Sequence, residues 1–349
     1  MATLALASHL AFAFVLFTIS AVVTWLMLRV RILDVPNHRS SHETPVPNSG
    51  GIAISLTILI GFSAAYFLSD ETRVLERYML GFGLAALAVV VVGFLDDLGR
   101  LHTFKVKLGI QIAAAAILLV FGVVIRKVSL PIVGNIDFGW WGYPITLMWV
   151  VGLTNAFNFM DGLDGLAGGT GVVVAGFFGV ITFLQGSLFV YILCYVLLSS
   201  ALGFMIFNFP KARIFMGDAG SQLLGFSFAA LAVMAAEYDA SRTSLWVMSL
   251  LFFNFIYDTS FTFFRRVLAR EQVTQAHRSH LYQLFNQLGY SHASVSVFHF
   301  VVAGLQGLGA LWLISLETPN RALVFLPFLV FQISYTTVVV RAARNRQLI

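Results

Sequence analysis

The sequence NAFNFMDGLDGLAGG, residues 155–169, begins inside the apolar run 144–158 and leads into the apolar run 167–185. Its two Asp-Gly steps and its glycine-rich end must interrupt a helix, so Asp161 and Asp164 are expected on irregular backbone. At membrane depth such backbone is tolerated only where it is buried in protein or lines a cavity, and carboxylates there are costly. The stretch therefore predicts a break between two membrane helices, with acids that serve a function.

The rest of the chain is strongly apolar. Of its 349 residues, 59% are hydrophobic and only 11% are charged. Runs of about 20 apolar residues, the length that spans a bilayer, recur along the chain. They predict a single all-α polytopic domain over residues 1–349 with about 11 transmembrane helices. The runs cover residues 4–28, 51–69, 76–95, 106–125, 144–158, 167–185, 187–208, 222–237, 244–264, 293–315 and 322–340.

The distribution of basic residues predicts how these helices are oriented. If the first loop is cytoplasmic, fifteen of the 21 Lys and Arg residues fall on the cytoplasmic side. The positive-inside rule then places the N-terminus outside and the C-terminus inside. The net charge of +5 is explained by this bias and requires no nucleic-acid partner. The one cysteine, Cys194, excludes a disulfide within the chain.

One outer feature is predicted to be non-helical. Residues 128–138 alternate weakly in polarity around Gly134-Asn135 and precede the interfacial aromatics Trp140 and Trp141. This pattern predicts a small β-hairpin on the outer face.

In the predicted orientation, the acidic motifs gather on one side. Asp96-Asp97, the 155–169 segment, Gly217-Asp218 and the loop from His277 to His280 all fall at cytoplasmic helix ends. They can converge into one site. Carboxylates and amides suit a hard cation such as Mg²⁺, and an Arg beside two His can grip a diphosphate.

Several of these features also have ordinary structural explanations. An acidic pair at a helix end is often only a solvated boundary, and Gly-Asp turns such as Gly217-Asp218 are common. Arg265-Arg266 fits a stop-transfer patch, and Lys107 is either an interfacial lysine or a phosphate contact. Three other histidines fit interfacial or core positions better than ligand positions: His9, His292 and His299.

Four motifs in chain order resemble those of a known family. They are GFLDD at 93–97, NxxNxxDGxDGLAGG at 155–169, GDxGS at 217–221 and the loop HRSHLYQ at 277–283. Together with the first loop, DxPNxRSxHxxPxP at 34–47, they resemble the polyprenyl-phosphate N-acetylhexosamine-1-phosphate transferases, glycosyltransferase family 4. The loop HRSHLYQ departs from the His-Ile-His-His form of the GlcNAc enzymes and resembles the O-antigen initiating branch for FucNAc or QuiNAc. Asn48-Ser49 stands where many relatives have an Arg before the glycine pair.

The resemblance implies a reaction. Undecaprenyl phosphate would attack the β-phosphate of a UDP-N-acetylhexosamine, releasing UMP and starting a lipid-linked glycan such as O-antigen. The site would face the cytoplasm in a bacterial plasma membrane, and a homodimer is left open. By the match, Asp164 would lie at the uracil, and Asp96 and Asp97 at the lipid phosphate. The residues assigned are Asp96, Asp97, Asp161, His277, Arg278 and His280 for transfer, Lys107, Asn155, Asp164 and Arg278 for substrate binding, and Asn158 and Asp218 for Mg²⁺ or Mn²⁺.

Three other classes of protein were considered. An intramembrane aspartyl protease would show Tyr-Asp before Gly-x-Gly-Asp, whereas Tyr257-Asp258 follows Gly217-Asp218 here. A CDP-alcohol phosphotransferase would carry Ala-Arg after its first Asp-Gly, and this chain lacks that pair at this position. An ion-coupled secondary transporter is the alternative left open, because buried acids and broken helices also mark ion sites. Transporter sites lie near the midplane, however, and acids gathered at one face favour the enzyme.

Overall fold

The computed structural model describes residues 2–30, 32–36, 44–68, 76–101, 103–130, 134–187, 189–272, 275 and 277–349. The described chain is mostly helical, with two small two-stranded sheets. Its α-helices are α1 (Ala2–Met27), α2 (Gly50–Leu68), α3 (Glu76–Asp97), α4 (Phe104–Val120), α5 (Gly142–Phe159), α6 (Leu166–Leu184), α7 (Val190–Asn208), α8 (Gly217–Glu237), α9 (Leu245–Leu251), α10 (Phe253–Leu268), α11 (Leu281–Gln287), α12 (His292–Ser315) and α13 (Phe325–Asn345). Two 3₁₀ segments, Gly139–Trp141 and Thr318–Val324, precede α5 and α13.

In the described chain, eight helices are long and apolar enough to cross a membrane, or nine if α9 and α10 form one broken span. The predicted runs 106–125 and 144–158 form α4 and α5, of 17 and 18 residues, which are not among those eight. The all-α polytopic fold is therefore confirmed. The exact count of 11 spans and the orientation of the chain stay predictions.

Helix α8 forms the centre of the helix bundle. Its span is 94% buried, whereas the outer helices α1 and α13 are only 17% and 22% buried in theirs. It packs against α2, α3 and α5. Two glycines allow the closest approaches, since a Cβ on Gly93 of α3 would lie 2.5 Å from Ala219 Cα and one on Gly51 of α2 would lie 2.4 Å from Gly220 N. The N-terminus of α8 is thereby held directly against the ends of α2 and α3.

Helix α8 also begins earlier than the sequence predicts. Gly217 and Asp218 were expected to form a turn before a helix at residue 222, but α8 starts at Gly217. The physical reason is a cap from another helix: Asp97 of α3 accepts hydrogen bonds from the free backbone N–H groups of this first turn.

The predicted run 244–264 is not one straight helix. It is bent by 72° at Phe252, between α9 and α10. The carboxamide of the buried Gln306, on α12, lies 3.2 Å from Leu251 O and 3.1 Å from Asn254 N when its amide is oriented to satisfy both. A polar side chain from a neighbouring helix thus pairs with the backbone groups that the break frees, which makes the bend tolerable inside a membrane protein.

The two sheets are short. Strands β1 (Leu33–Asp34) and β2 (Val46–Pro47) pair antiparallel in the first loop, of which residues 37–43 lie outside the described chain. Strands β3 (Lys127–Leu130) and β4 (Gly134–Asp137) form the second antiparallel pair. Gly134 and Asn135 were expected at the turn, but they lie in β4, opposite Leu130 and Ser129. On which side of the membrane this pair lies stays a prediction.

Candidate active site

The carboxylate of Asp97 joins α3 to α8. Its Oδ1 accepts a hydrogen bond from Asp218 N at 2.8 Å and its Oδ2 accepts one from Ala219 N at 3.1 Å. The first N–H groups of a helix lack partners within the helix and carry partial positive charge, so a carboxylate is favourable there. Asn48, just after β2, also donates to Asp97 Oδ1 over 3.3 Å. Asp97 therefore fixes the backbone position from which the Asp218 side chain extends.

Lys107 on α4 lies between two carboxylates of other helices. Its Nζ forms an ion pair with Asp96 of α3, and a second one with Asp218 Oδ2 at 3.3 Å. The three side chains are only 29%, 14% and 23% exposed, in the order Lys107, Asp96, Asp218. Because ion pairs shielded from water interact more strongly than exposed ones, this lysine holds the ends of α3, α4 and α8 together.

A row of amide side chains extends this cluster into the bundle. Gln222 donates to Asp218 Oδ2 at 2.9 Å, Gln111 donates to Gln222 at 3.1 Å, and Asn155 donates to Gln111 at 2.6 Å. Each donor uses an N–H and each acceptor an oxygen, so buried polar groups satisfy one another along the row. The network connects the predicted residues Asp96, Lys107, Asn155 and Asp218 through two glutamines.

The last turn of α5 and the broken segment after it add two more predicted residues. Ser221 Oγ of α8 lies 2.6 Å from Asn158 Oδ1. Asp161 accepts no side-chain or backbone hydrogen bond from the described residues, and burial together with the charge of Asp218 raises the pKa of its carboxyl to about 7. Asp161 thus adds an unpaired carboxyl group close enough to Asp218 to feel its charge.

The donor set suits a magnesium ion completed by substrate. Asp96, Asp97, Asp161 and Asp218 bring four carboxyl groups to a cluster whose ion-paired cation is Lys107. Within the described residues, no three His, Cys, Asp or Glu side chains converge as a ready-made metal site. Mg²⁺ typically binds through one or two carboxylates plus substrate phosphates, so Asp218 and Asn158 remain suitable ligands.

Asp164 is directed to a different set of partners. Its Oδ1 lies 3.1 Å from His292 Nδ1, at the start of α12, and its Oδ2 accepts a hydrogen bond from Ala212 N at 3.1 Å. Its backbone carbonyl accepts from Ser296 Oγ at 2.7 Å. The predicted substrate residue therefore also anchors the loop after the break to α12 and to the segment before α8.

The histidine-containing loop is held by Asp258 of α10. This carboxylate accepts from His280 Nδ1 at 3.1 Å and from the N–H groups of Leu281 and Tyr282 at 3.0 and 3.1 Å. The His277 ring stacks on that of His280 with centroids 5.0 Å apart. The guanidinium of Arg278 donates no hydrogen bond to the described residues, so it is available to an anion.

The His277 ring is neutral near pH 7. Burial, followed by the neighbouring His280, Arg266 and Arg265, lowers the pKa of its imidazole to about 3, although Asp258 acts in the opposite direction. Its Nδ1 lies 3.0 Å from Ser279 Oγ. His277 therefore contributes no positive charge to the loop, and Arg278 is the group there that can pair with a phosphate.

One tyrosine connects this loop to the acidic cluster. Tyr282 Oη donates to Phe159 O at 2.9 Å, directly before the 160–165 break. A Cβ on Gly162 would lie only 2.2 Å from Tyr282 Oη, so glycine is required for this approach. The structure thus joins Asp96, Asp97, Lys107 and Asp218 by direct contacts. Asn155 is joined to them through Gln111 and Gln222, Asn158 through Ser221, and the loop at His277, Arg278 and His280 through Tyr282.

Sequence reasoning missed several members of this arrangement. Gln111, Ser221, Gln222, Tyr282 and His292 all contact predicted residues. A signal existed for two of them, since Gln111 follows Lys107 and Gln222 follows Asp218 by four residues, which places each pair on one helix face. His292 was expected at the interface or in the core, but it pairs with Asp164.

Comparisons with known proteins agree with this geometry. The model of glycosyl transferase family 4 matches residues 79–236, which contain the clustered residues from Asp96 to Gln222. The chain is 32% identical over 285 residues to the Bacillus subtilis (strain 168) protein named "Probable undecaprenyl-phosphate N-acetylglucosaminyl 1-phosphate transferase", covering 81% of this chain and 78% of that protein.

Two further relatives carry related names. The chain is 32% identical over 327 residues to the decaprenyl-phosphate N-acetylglucosaminephosphotransferase of Mycobacterium leprae (strain TN), covering 85% of this chain and 81% of that protein. It is 34% identical over 211 residues to the phospho-N-acetylmuramoyl-pentapeptide-transferase of Halalkalibacterium halodurans, covering 56% of this chain and 64% of that protein. The similarity therefore extends to two kinds of phosphosugar transferase.

Proposed function

Because the chain belongs to glycosyl transferase family 4, we propose that it transfers a sugar 1-phosphate from a UDP-sugar to a polyprenyl phosphate in the membrane. The observation that carries the proposal is the cluster at the N-terminus of α8, where Lys107 contacts both Asp96 and Asp218. Phosphoryl transfer asks mainly for positioning and for neutralisation of charge, and this cluster offers fixed groups of both signs.

The proposed reaction conserves the phosphoanhydride energy of the donor. An oxygen of the polyprenyl phosphate forms a bond to the β-phosphorus of the UDP-sugar, while the bond from that phosphorus to the bridging oxygen breaks. UMP leaves with the bridging oxygen, and the product is a lipid diphosphosugar. The second pKa of a phosphate monoester is about 6, so the attacking phosphate is already largely dianionic at neutral pH. A general base is therefore not required, and Asp96 and Asp97 act by position and charge.

The residues divide into groups that bind and groups that orient. Asp218 and Asn158 would hold Mg²⁺, which when bound neutralises charge on the diphosphate. Asn155 and Asp164 bind the nucleotide sugar, with Asp164 oriented by His292 and Ala212. Lys107 and Arg278 contribute positive charge to the phosphates, and Lys107 is fixed for this by its two carboxylate partners. Asp161 and the His277–His280 loop complete the site through Tyr282.

We propose an N-acetylhexosamine as the transferred sugar. The relatives named above carry N-acetylglucosamine or N-acetylmuramoyl groups in their names, which supports an N-acetylated sugar. The loop HRSHLYQ further favours a 6-deoxy sugar such as FucNAc or QuiNAc, as in the start of O-antigen synthesis. A pocket that makes no hydrogen bond to O6 gains only about 1–3 kcal/mol from a methyl group, so UDP-GlcNAc should still react.

We also propose undecaprenyl phosphate as the acceptor, a bacterial plasma membrane as the location and the cytoplasmic face as the side of the site. The chain is a multi-pass membrane protein, and fifteen of its 21 Lys and Arg lie on the same predicted side of the membrane as the site. This excess of basic residues supports a cytoplasmic position.

The proposal is tested by incubating purified protein with undecaprenyl phosphate, Mg²⁺ and UDP-GlcNAc, UDP-FucNAc or UDP-QuiNAc, each alone and in competition. UMP release that depends on the lipid is expected, with the highest kcat/KM for a 6-deoxy donor. Highest kcat/KM for UDP-GlcNAc would overturn the choice of sugar but keep the reaction. If no donor yields UMP, while proteoliposomes take up an ion-coupled solute, the transporter alternative replaces the enzyme.

A further inference from the structure

Oδ1 of the buried Asp258 carboxylate is saturated with hydrogen bonds, although Asp258 lies on α10, outside the Asp96–Lys107–Asp218 cluster. Oδ1 accepts from His280 Nδ1 at 3.1 Å, from Leu281 N at 3.0 Å and from Thr262 Oγ1 at 3.1 Å. Oδ2 accepts from Tyr282 N at 3.1 Å. The Asp258 side chain is 3% exposed and that of His280 is 8% exposed.

This saturation determines where the proton on His280 lies. An ionised carboxylate offers about four acceptor positions and no donor. Two of the four partners are backbone N–H groups, which can only donate, and one is a hydroxyl within hydrogen-bond distance. Oδ1 already accepts from Leu281 N and Thr262 Oγ1, and a protonated Oδ1 would have room for only one of them, so the contact with His280 requires a proton on its Nδ1. In a neutral imidazole, Nε2 then carries a lone pair and accepts hydrogen bonds.

Asp258 also helps to hold the His277–Tyr282 loop against the break that follows α5, through Tyr282. The backbone N–H of Tyr282 donates to Asp258, and its hydroxyl donates to Phe159 O at 2.9 Å. The His280 ring lies between Phe159 and the ring of His277, with centroid distances of 6.0 and 5.0 Å. Its Nε2 has no hydrogen-bond partner among the described residues. Asp258 therefore orients both the ring and its free nitrogen.

We infer that Asp258 is a positioning residue that holds His280 in the Nδ1–H tautomer, so that Nε2 accepts a hydrogen bond from a hydroxyl or amide N–H of the nucleotide-sugar donor. This inference rests on the proposed function for the identity of the donor. It changes the role of His280 predicted from the sequence, because an acceptor nitrogen cannot donate to a phosphate oxygen. Contact with phosphate then belongs to Arg278 and Lys107.

The tautomer is measured directly, without activity. Full-length protein labelled with ¹⁵N-imidazole histidine is examined by NMR, and the His280 signals among the eight histidines are identified by their loss in His280→Gln. The expected result near pH 7 is a protonated Nδ1 and a bare Nε2. A proton on Nε2, with or without one on Nδ1, overturns the inference. Because no substrate is present, this outcome is independent of whether the proposed reaction occurs.

Asp258→Asn tests the consequence for activity. Asparagine has one acceptor oxygen, so it cannot accept from Leu281 N and Tyr282 N together with His280 Nδ1, and its hold on the His280 ring is weaker. We expect kcat/KM to fall at least about tenfold, and no further loss when Asp258→Asn is added to His280→Gln.

Asp239→Asn is the matched control. Asp239 is also buried and accepts backbone N–H bonds from Phe189 and Ser241, but it follows the opposite end of α8. Asp239→Asn should retain wild-type kcat/KM, and its loss of stability measures the effect of removing a buried carboxylate. Losses that simply add in the double variant would make Asp258 only a helix cap and overturn the inference. If Asp258→Asn does not fold, the wild-type NMR measurement still decides.

Discussion

At the scale of single residues, the site is defined by charges that are shielded from water and matched to each other. Both carboxylate oxygens of Asp97 accept hydrogen bonds from the first turn of α8. Asp218 instead contacts Lys107 and Gln222, both through Oδ2. In the part of the chain that the structure describes, these partners of Asp218 are side chains and not helix backbone. This asymmetry distinguishes a carboxylate that supports the site from one that can bind in it.

Replacing Asp218 by Asn should abolish turnover and preserve the fold. An amide keeps the shape and can still accept from Gln222, but it lacks the charge that a divalent cation needs. We expect kcat/KM to fall by at least about a hundredfold, which corresponds to about 2.7 kcal/mol in the barrier. The assay is UMP release at limiting Mg²⁺. Asp137→Asn, an exposed carboxylate on β4, is the control; normal turnover by Asp218→Asn would refute the metal assignment.

The depressed pKa of His277 predicts a dependence of stability on pH. In the folded protein the pKa of its imidazole is about 3, below the value of about 6.5 for an unfolded chain. Between these values the unfolded chain binds the extra proton, so stability is complete above about pH 6.5 and declines as the pH falls.

His277→Asn removes this group and should therefore lose less stability between pH 7.5 and pH 5 than the wild type. The thermal unfolding midpoint at the two pH values, measured in the same detergent, checks it. An equal change in both proteins would mean that the His277 ring is charged or solvated in the folded state.

At the scale of helices, the site depends on close contacts between backbones. Gly93 and Gly51 allow α3 and α2 to lie against the first turn of α8, which is how Asp97 reaches Asp218 N. A methyl group at Gly93 would meet Ala219 Cα at 2.5 Å, and backbone atoms cannot move aside as a side chain can. The spacing between the carboxylates is thus set by helix packing.

Gly93→Ala should destabilise the protein by about 1–3 kcal/mol, the usual range for an overpacked core. Gly83→Ala is the matched control, because Gly83 lies on the same helix and a Cβ there meets nothing within 4 Å. That control should be neutral or stabilising by up to about 1 kcal/mol, from helix propensity. Thermal unfolding and UMP release are measured for both. Similar values for the two variants would contradict the close packing of α3 on α8.

Some helices could be predicted from sequence and others could not, for a definite reason. Charged residues are conspicuous in an apolar sequence, so Asp96, Asp161 and Asp218 could be predicted as site residues from the sequence. The bend at Phe252 was missed because residues 244–264 contain no Pro or Gly, and Gln306, which pairs with the backbone groups freed there, lies on α12. The early start of α8 was missed for a similar reason, since its cap is Asp97 of α3. Contacts distant in sequence leave no local pattern.

At the scale of the whole molecule, the proposed function requires the site residues to lie on one side of the membrane. The site residues come from α3, α4, α5, α8 and nearby loops, and their assignment to one membrane face rests on the excess of Lys and Arg on the side predicted to be cytoplasmic. Arg100, exposed after α3, and Asp137, exposed on β4, lie at the two ends of α4 and should face opposite sides.

Cysteine labelling tests that orientation. Cys194 is fully buried and should not react, so Arg100→Cys and Asp137→Cys can be introduced singly into the natural chain. A membrane-impermeant maleimide should label Asp137→Cys in right-side-out vesicles and Arg100→Cys in inside-out vesicles. The reverse pattern would place the site on the outer face, and labelling of both from one side would contradict the topology.

The fate of the β-phosphate is the most direct test of the central claim. Purified protein is given undecaprenyl phosphate, Mg²⁺ and a UDP-N-acetylhexosamine labelled with ³²P in the β-phosphate. Transfer of a sugar 1-phosphate predicts that the label moves into the lipid product while unlabelled UMP is released in equal amount. Label that remains in released UDP, with only the sugar on the lipid, would contradict the account.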